Sequence, residues 1–262
     1  CTFFEAYWQD KFSNNVLPLR VGLDVATIND VMSVIEILSS HREYTKINPF
    51  VVLFGKGNHQ ITSSWTNQYG HEFETTLGIT RRHITFAGTG NDTTTILGGF
   101  FIENQENIMF KQMTVTTTNT SYNGRGIHMR NASVELMDIA LTKFGNHALH
   151  IESTSVTILV ATRCEFSNSS FGASVGGNAS ATFKNCVFHD NSSSGVYASA
   201  CTVHLHGEAT AIYSNAGCGI YASWNAKLII HLPSHHNTSY NNKGQDRATS
   251  TGATITNVRV ED

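Results

Sequence analysis

The stretch FKNCVFHDNSSSGVYASA, residues 183–200, contains two short segments in which apolar and polar residues alternate, separated by a polar turn and a glycine. Alternation with a period of two is typical of a β-strand that buries one face. The segment at residues 195–198 has the pattern glycine, apolar, any residue, apolar. This four-residue pattern returns along the chain, and its spacing leads to the predicted fold.

Copies of the pattern begin at Gly126, Ala148, Gly172, Gly195 and Gly219, which are 22, 24, 23 and 24 residues apart. Two or three short strands in each repeat leave no room for helices, and a single repeat cannot bury its inner face alone. Parallel stacking of the repeats, at about 4.8 Å per coil, gives every inner face a neighbour. The sequence therefore predicts an all-β chain folded as a single-stranded parallel β-helix, a solenoid of stacked coils.

Two segments of the N-terminal half, VVLFGKGNHQI (51–61) and ITFAGTGNDTTTILGG (84–99), extend this pattern. Together with the repeats they resemble the right-handed parallel β-helix, or pectin-lyase-like, superfamily, over roughly residues 22–257. The resemblance implies a right-handed solenoid whose N-terminal end is covered by a helix. It does not imply one function, because the superfamily includes lyases, hydrolases, esterases, epimerases and non-enzymatic adhesins.

One helix is predicted, over residues 27–39, where apolar residues recur at helical spacing and Thr27 and Asp30 could form a capping box. We expect this helix to cover the open first coil, which would otherwise expose bare strand edges. The predicted organisation is an N-terminal extension (1–21) and a single β-helix domain (22–262) with a projecting loop at about residues 62–78. Residues 237–253 are interpreted as a polar connection, and a missing segment or another subunit could cover the C-terminal end.

A polar pair precedes the glycine in three repeats, at Ser167-Asn168, Asp190-Asn191 and Ser214-Asn215. Asparagine tolerates the left-handed backbone that such turns require, so we expect the asparagines to form the turns. Cys164 and Cys186 each stand two residues before an inward phenylalanine, and we predict that they form a buried column of thiols.

The composition restricts the possible partners and location. A net charge of −3, only 14% charged residues and no dense cluster of basic residues argue against nucleic-acid binding. No apolar run is long enough to span a bilayer. The abundance of hydroxyl and amide side chains favours an extracellular or particle surface, such as a cell wall, an envelope or a virion. Glycans or neighbouring protein subunits are the expected partners, and a homo-oligomer is possible.

Stacking of the repeats would form a column from the outward residues of the recurring strand, namely His128, His150, Ser174, Tyr197 and Tyr221. A second column would include Arg130 and Glu152. The interpretations left open are an ordinary solvated face with an Arg130–Glu152 ion pair, a ligand-binding face and a catalytic site. The candidate ligand-binding residues are His128, His150, Tyr197 and Tyr221. In a catalytic site, His150 with Glu152 would act as general base and Arg130 would stabilise charge. The tyrosines could stack on sugar rings or simply pack on each other.

No catalytic set, metal site or cofactor is predicted. The clustered acids of β-helix lyases and hydrolases are not recoverable, because the acids of residues 106–230 fall in different columns. The histidines at 231, 235 and 236 are not expected to share a metal, since adjacent side chains of a strand point to opposite faces. The leading hypothesis is a non-enzymatic, surface-exposed solenoid with a structural or glycan-binding role. The alternative is a polysaccharide-modifying lyase or epimerase.

Overall fold

The chain forms a parallel β-helix with three faces, as the repeat predicts. The computed structural model describes residues 18–67, 69–118, 124–232 and 238–259. Residues 1–17, which make up most of the predicted extension, lie outside the described residues, as do His235 and His236. Within the described residues, no helix is long and apolar enough to cross a membrane.

The strands stack into three faces, which we call A, B and C. Face A consists of Leu19–Val21, Phe50–Phe54, Ile84–Ala87, Ile108–Thr116, Ser133–Thr142, Thr157–Thr162, Ala179–Lys184, Thr202–His206, Lys227–Leu232 and Thr254–Arg259. Face B branches from the ends of the two longest of these strands and adds Gly57–Gln60, Thr94–Leu97, Glu165–Ser167, Val187–His189, Ala211–Tyr213 and Ser239–Tyr240. Face C consists of Thr76–Ile79, Gly99–Glu103, Ile127–Arg130, His147–Glu152, Phe171–Gly176, Val196–Ser199, Ile220–Ser223 and Arg247–Thr249.

The register confirms the predicted columns. His128 pairs with His150, His150 with Ser174, and Tyr197 with Tyr221, all in parallel strands. The apolar positions of the recurring pattern point inward and are completely buried, as shown by Ile127, Leu149, Val196 and Ile220. Cys164 and Cys186 are free buried thiols beside the stacked rings of Phe166 and Phe188, so the predicted thiol column is present.

The N-terminal end is covered by the predicted helix. A 3-10 turn at Ile28–Asp30 leads into helix α1, Val31–Ser39, whose apolar side is buried in the same core as the first strand. The side chain of Asp30 accepts hydrogen bonds from the backbone N–H (3.1 Å) and hydroxyl (2.8 Å) of Thr27. The first strand, Leu19–Val21, already pairs with Phe50–Phe54, so the solenoid begins inside the predicted extension.

Two sequence-based expectations are corrected. Residues 237–253 are not simply a connection, because Ser239–Tyr240 and Arg247–Thr249 complete one more coil on faces B and C. In the polar pairs, the left-handed residue is Asn168 in the first repeat but Asp190 and Ser214 in the next two. The asparagines that follow the last two are instead buried inside the stack.

Asn191 and Asn215 form a ladder of hydrogen bonds along the solenoid. The Asn191 side-chain amide donates to the Asn215 carbonyl oxygen (2.9 Å), and Asn215 donates in the same way to Asn242 (2.8 Å). The Asn215 amide also reaches the backbone carbonyl of Phe188 (3.2 Å), and its oxygen accepts the backbone N–H of Asn191 (3.1 Å). Both side chains are at most 1% exposed, so no solvent replaces these bonds if one member is removed.

We expect Asn215→Ala to lower the free energy of unfolding by at least about 2 kcal/mol, because several buried polar groups would lose their partners. Chemical and thermal unfolding of the purified protein would measure this change. Asn178→Ala is the matched control, since Asn178 is exposed, and it should leave the midpoint unchanged. Equal midpoints for Asn215→Ala and the parent would contradict a structural role for the ladder.

Candidate functional site

A small hairpin projects over face C and forms one wall of a groove. Its two short antiparallel strands, Trp65–Thr66 and Glu72–Phe73, lie within the predicted projecting loop. The Trp65 ring stacks 6.3 Å from that of Phe101, and Phe73 packs 5.2 Å from the same ring. Trp65 also lies over Gly78, where a side chain would collide with the indole ring. The glycine therefore allows the hairpin to pack directly on the sheet.

The hairpin buries His128, which was expected to be an outward, solvated residue. His128 is only 2% exposed, and its ring lies between Phe73 (5.6 Å) and Phe101 (4.6 Å). His128 occupies its predicted position in the column, but the hairpin folds over this position and shields the side chain from solvent.

The two ring nitrogens of His128 have different partners, which identify its protonation state. Arg125 Nη1 lies 3.1 Å from Nδ1, and an arginine can only donate, so Nδ1 accepts. Nε2 lies 3.0 Å from Glu152 Oε1 and therefore donates to the carboxylate. Burial lowers the pKa of His128 to about 3, although the hydrogen bond to Glu152 acts in the opposite direction. His128 is thus a neutral imidazole that carries its proton on Nε2.

Glu152 is the centre of the polar network on face C. It accepts hydrogen bonds from His128 and from Arg130, and His150 Nε2 lies 3.7 Å from its second oxygen. The hydrogen bond from His128 and the proximity of His150 hold the pKa of this carboxyl well below its usual range. Glu152 is therefore a fixed negative charge.

Arg130 is held between two carboxylates. Its guanidinium contacts Glu152 on one side and lies 3.3 Å from Glu103 Oε1 on the other. Partial burial works against its charge, but the hydrogen bonds and negative charges of Glu152 and Glu103 together outweigh this effect and raise the pKa of Arg130. The guanidinium also lies 5.1 Å from the centre of the Tyr69 ring, a cation–π contact that ties the hairpin to the network.

His147 and His150 extend the network as neutral rings. Their centroids are 4.4 Å apart, and His147 stacks on Phe171 at 5.1 Å. Burial lowers the pKa of both imidazoles, and among the described residues the buried Nδ1 atom of each finds no hydrogen-bond partner.

The tyrosine column continues face C beyond these rings. Tyr197 and Tyr221 pack on each other at 5.6 Å, which is one of the two alternatives drawn from the sequence. The Tyr197 hydroxyl accepts from Ser223 (3.2 Å), and the Tyr221 hydroxyl lies 3.0 Å from Ser250 Oγ. The edges of both rings are half-exposed.

The groove beside the hairpin has a volume of about 580 Å³ and is lined by Tyr69, Arg130, His150, Glu152, Ser174 and Tyr197, among others. Two of the four predicted ligand-binding residues, His150 and Tyr197, line it. Tyr221 lies one coil beyond Tyr197, and His128 faces a separate cavity of about 230 Å³ beneath the hairpin. The three residues of the predicted catalytic alternative all line the larger groove.

Four residues of this network were missed by sequence reasoning, namely Tyr69, Glu103, Arg125 and His147. Glu103 could have been found, because Gly99-Phe100-Phe101-Ile102 repeats the four-residue pattern and places Glu103 in the column of Arg130. Arg125 and His147 stand just before the four-residue pattern, which makes no statement about their side chains. Tyr69 belongs to the hairpin, outside any repeat.

The His128–His150–Glu152 group could in principle hold a metal, because one atom from each residue lies within 4.8 Å of the others. Both guanidiniums of the site lie against it, and Arg125 and Arg130 each act unfavourably on a positive charge at His150. Glu152 is already neutralised by Arg130. These contacts make the group a poor cation site.

The state of His128 predicts a pH dependence of stability. Its pKa falls from 6.5 to about 3 on folding, so between these values the unfolded chain binds the extra proton. Stability should therefore rise with pH through this window and be lost as the pH falls from 6.5 towards 3. His128→Gln, which retains a donor for Glu152, should reduce the slope by up to one proton, about 1.4 kcal/mol per pH unit.

Thermal unfolding of parent and variant from pH 3 to pH 8 would measure this slope. His71→Gln makes the same chemical change at an exposed position and should retain the slope of the parent. Identical slopes for His128→Gln and the parent would show that His128 is not held neutral.

Comparison with known proteins places the fold in a family. The family described as right handed beta helix region matches residues 98–262. A search of curated protein sequences gives no match. Among solved structures, a pectin methylesterase mutant in complex with a hexasaccharide is 11% identical, with 94% of this chain and 93% of that chain covered and a TM-score of 0.50.

Two further structures are similar at lower scores. PfbA, a surface adhesin of Streptococcus pneumoniae, is 10% identical, with 93% of this chain and 81% of that chain covered and a TM-score of 0.42. The A-module of the Azotobacter vinelandii mannuronan C-5 epimerase AlgE6 is 12% identical, with coverages of 91% and 87% and a TM-score of 0.39. At these identities the similarity concerns the fold alone. The match over residues 98–262 shows that the chain belongs to the right-handed β-helix family.

Proposed function

We propose that this protein is a non-catalytic β-solenoid that binds a carbohydrate chain in the groove on face C. The observation that carries the proposal is the groove itself, which is lined both by Tyr69, in contact with Arg130, and by Tyr197, three coils further along face C. Arg130, His150, Ser174 and Tyr197 occupy four successive coils, so the floor extends over three intervals of about 4.8 Å, or about 14 Å. That length suits a short stretch of an extended oligosaccharide.

The chemistry of the lining suits sugars. Aromatic rings provide flat apolar surfaces, and the hydroxyls of Ser174 and Ser199 and the amides of Asn104 and Asn131 provide neutral hydrogen-bonding groups. Tyr197 is held by its neighbours in the column, so little conformational freedom would be lost when a ligand binds.

The charges of the groove favour a neutral glycan over a polyanion. Arg130 and Glu152 are the charged residues that line it within the described part of the chain, and they contact each other. The carboxylate of Glu103, 3.3 Å from Arg130 Nη1, also compensates the positive charge of Arg130. An acidic polysaccharide would need an uncompensated cation, which this set does not provide. The glycan proposed is therefore neutral or weakly charged.

The same network supports binding rather than acid–base chemistry. Glu152 has a strongly lowered pKa and is a weak base, while His128 is buried and has both ring nitrogens engaged. Effective general bases have a pKa near the working pH and can reach the substrate.

An extracellular or particle-surface location belongs to the proposal, and its support is the low charge and hydroxyl-rich composition.

We expect Tyr197→Ala to weaken glycan binding at least about tenfold, since truncation of an aromatic hot-spot residue costs about 2 kcal/mol or more and about 1.4 kcal/mol corresponds to tenfold. A glycan array containing neutral and acidic oligosaccharides would identify the ligand, and calorimetry would give the dissociation constants.

Tyr213→Ala is a matched control on face B. Tyr213 stacks on Tyr240 at 5.4 Å, much as Tyr197 packs on Tyr221, but it lies outside the groove. This variant should bind like the parent. Equal losses in both variants would point to a general effect on the solenoid, and absence of binding by the parent would favour a purely structural role.

A second candidate, a lyase or epimerase, rests on one observation. His150 is neutral, lines the groove and lies within reach of the Arg130–Glu152 pair, which is the arrangement that a general base and a charge stabiliser require. If this candidate is correct, the parent will release unsaturated or epimerised sugar products from a polysaccharide, and His150→Ala will reduce the rate at least 100-fold. Product analysis by ultraviolet absorbance and NMR would detect both outcomes, and no product from the parent would exclude this candidate for the polysaccharides used.

A further inference from the structure

A histidine cluster lies on face A, away from the groove. His204 and His206 are separated by one buried residue on the strand Thr202–His206. Both side chains therefore point outward, on the same side of the strand. His231 lies on the next strand, Lys227–Leu232, where the register pairs Leu205 with Ile230 and thereby places His231 beside His206. We call these three residues the face A histidines.

The three imidazoles converge. His204 Nδ1 lies 2.9 Å from His231 Nε2, and the rings of His206 and His231 stack at 3.8 Å with an interplanar angle of 10°. One nitrogen from each ring lies within 4.8 Å of the others. Nitrogen ligands at about 2.0–2.1 Å from a tetrahedral ion are separated by about 3.3 Å. Rotations about the side-chain bonds that also separate the stacked rings of His206 and His231 would bring the three atoms to that spacing.

The surroundings of the face A histidines differ from those of the face C network. All three histidines are half-exposed, and among the described residues neither a carboxylate nor an arginine forms a hydrogen bond or ion pair with them. The charged neighbour in register is Lys184, opposite His206. Each imidazole in its neutral form offers one lone pair to a metal ion.

We propose that His204, His206 and His231 bind a late first-row divalent metal ion, such as Zn²⁺, through three imidazole nitrogens. Imidazole is a preferred ligand of this class of ion, whereas Ca²⁺ and Mg²⁺ prefer oxygen ligands. Three protein ligands leave a fourth position for water or an exogenous group. The ion would replace the His204–His231 hydrogen bond and link two consecutive coils. This proposal is independent of the glycan-binding proposal and departs from the sequence-based expectation of no metal site.

Histidines that are adjacent in the sequence do not reveal this metal-ligand set. His231 was considered with the histidines at 235 and 236, but its partners come from the preceding coil, 25 and 27 residues earlier (231 − 206 and 231 − 204). A solenoid brings residues one repeat apart into contact, so a ligand set can be built from single histidines of different coils.

Calorimetric titration of the chelator-treated protein with ZnCl₂ tests the proposal. The parent should bind one Zn²⁺ per chain at these residues. His206→Gln and His231→Gln should each weaken that binding by at least the 10–100-fold that loss of an outer-shell partner causes, because each removes a direct ligand. His150→Gln is the matched control, since it removes a histidine of the other convergent group, and it should leave binding unchanged.

Zinc should also protect the three rings of the parent against modification by diethyl pyrocarbonate, measured by peptide mass spectrometry. This readout needs no variant and remains valid if a substitution disturbs folding. Absence of Zn²⁺ binding by the parent, unchanged affinity in both face A variants, loss of binding only in His150→Gln, or absence of protection would each overturn the proposal.

Discussion

The stacking of successive coils in register is the constraint on which the rest of this structure depends. Each coil can bury its inner face only against the coils before and after it, so the length of every repeat must match that of its neighbours. Where the strands end, the buried amides of Asn191 and Asn215 continue the hydrogen bonds from coil to coil. Inward side chains therefore form the core, and the ladder asparagines form hydrogen bonds with the backbone of neighbouring coils. The outward columns, together with the exposed turns and the hairpin, remain available for contact with other molecules.

The hairpin that includes Trp65 and Phe73 turns one of these columns into a site. Without it, His128 would be one more outward residue of a flat sheet. The aromatic cover excludes water from His128, which keeps this ring neutral and gives both of its nitrogens protein partners. The same cover brings Tyr69 against Arg130 and closes one side of the groove. The burial of His128 therefore comes from the hairpin and not from the solenoid core.

The features that could be predicted from the sequence are those that repeat. The period gave the parallel stack, the inward column of Ile127 and Leu149, and the outward pairing of Tyr197 with Tyr221. The burial of His128 could not be predicted, because it depends on a hairpin about 55 residues earlier whose docking is specified by contacts with Phe101 and not by any period. In two repeats the left-handed turn lies one residue before the predicted asparagine, at Asp190 and Ser214. Asparagine suits both a left-handed turn and a buried hydrogen-bonding position, and composition does not distinguish the two roles.

The two convergent histidine groups differ in what satisfies their nitrogens, and this difference assigns them different roles. On face C the protein supplies the partners: Glu152 accepts from His128, Arg125 donates to it, and two arginines oppose any added positive charge. In that group both nitrogens of His128 have protein partners, and the carboxylate of Glu152 is paired with Arg130. On face A the half-exposed imidazoles contact mainly one another, and the charged neighbour in register is Lys184. His204 and His231 share one proton in their hydrogen bond, whereas a metal ion could accept a lone pair from each of the three rings at once.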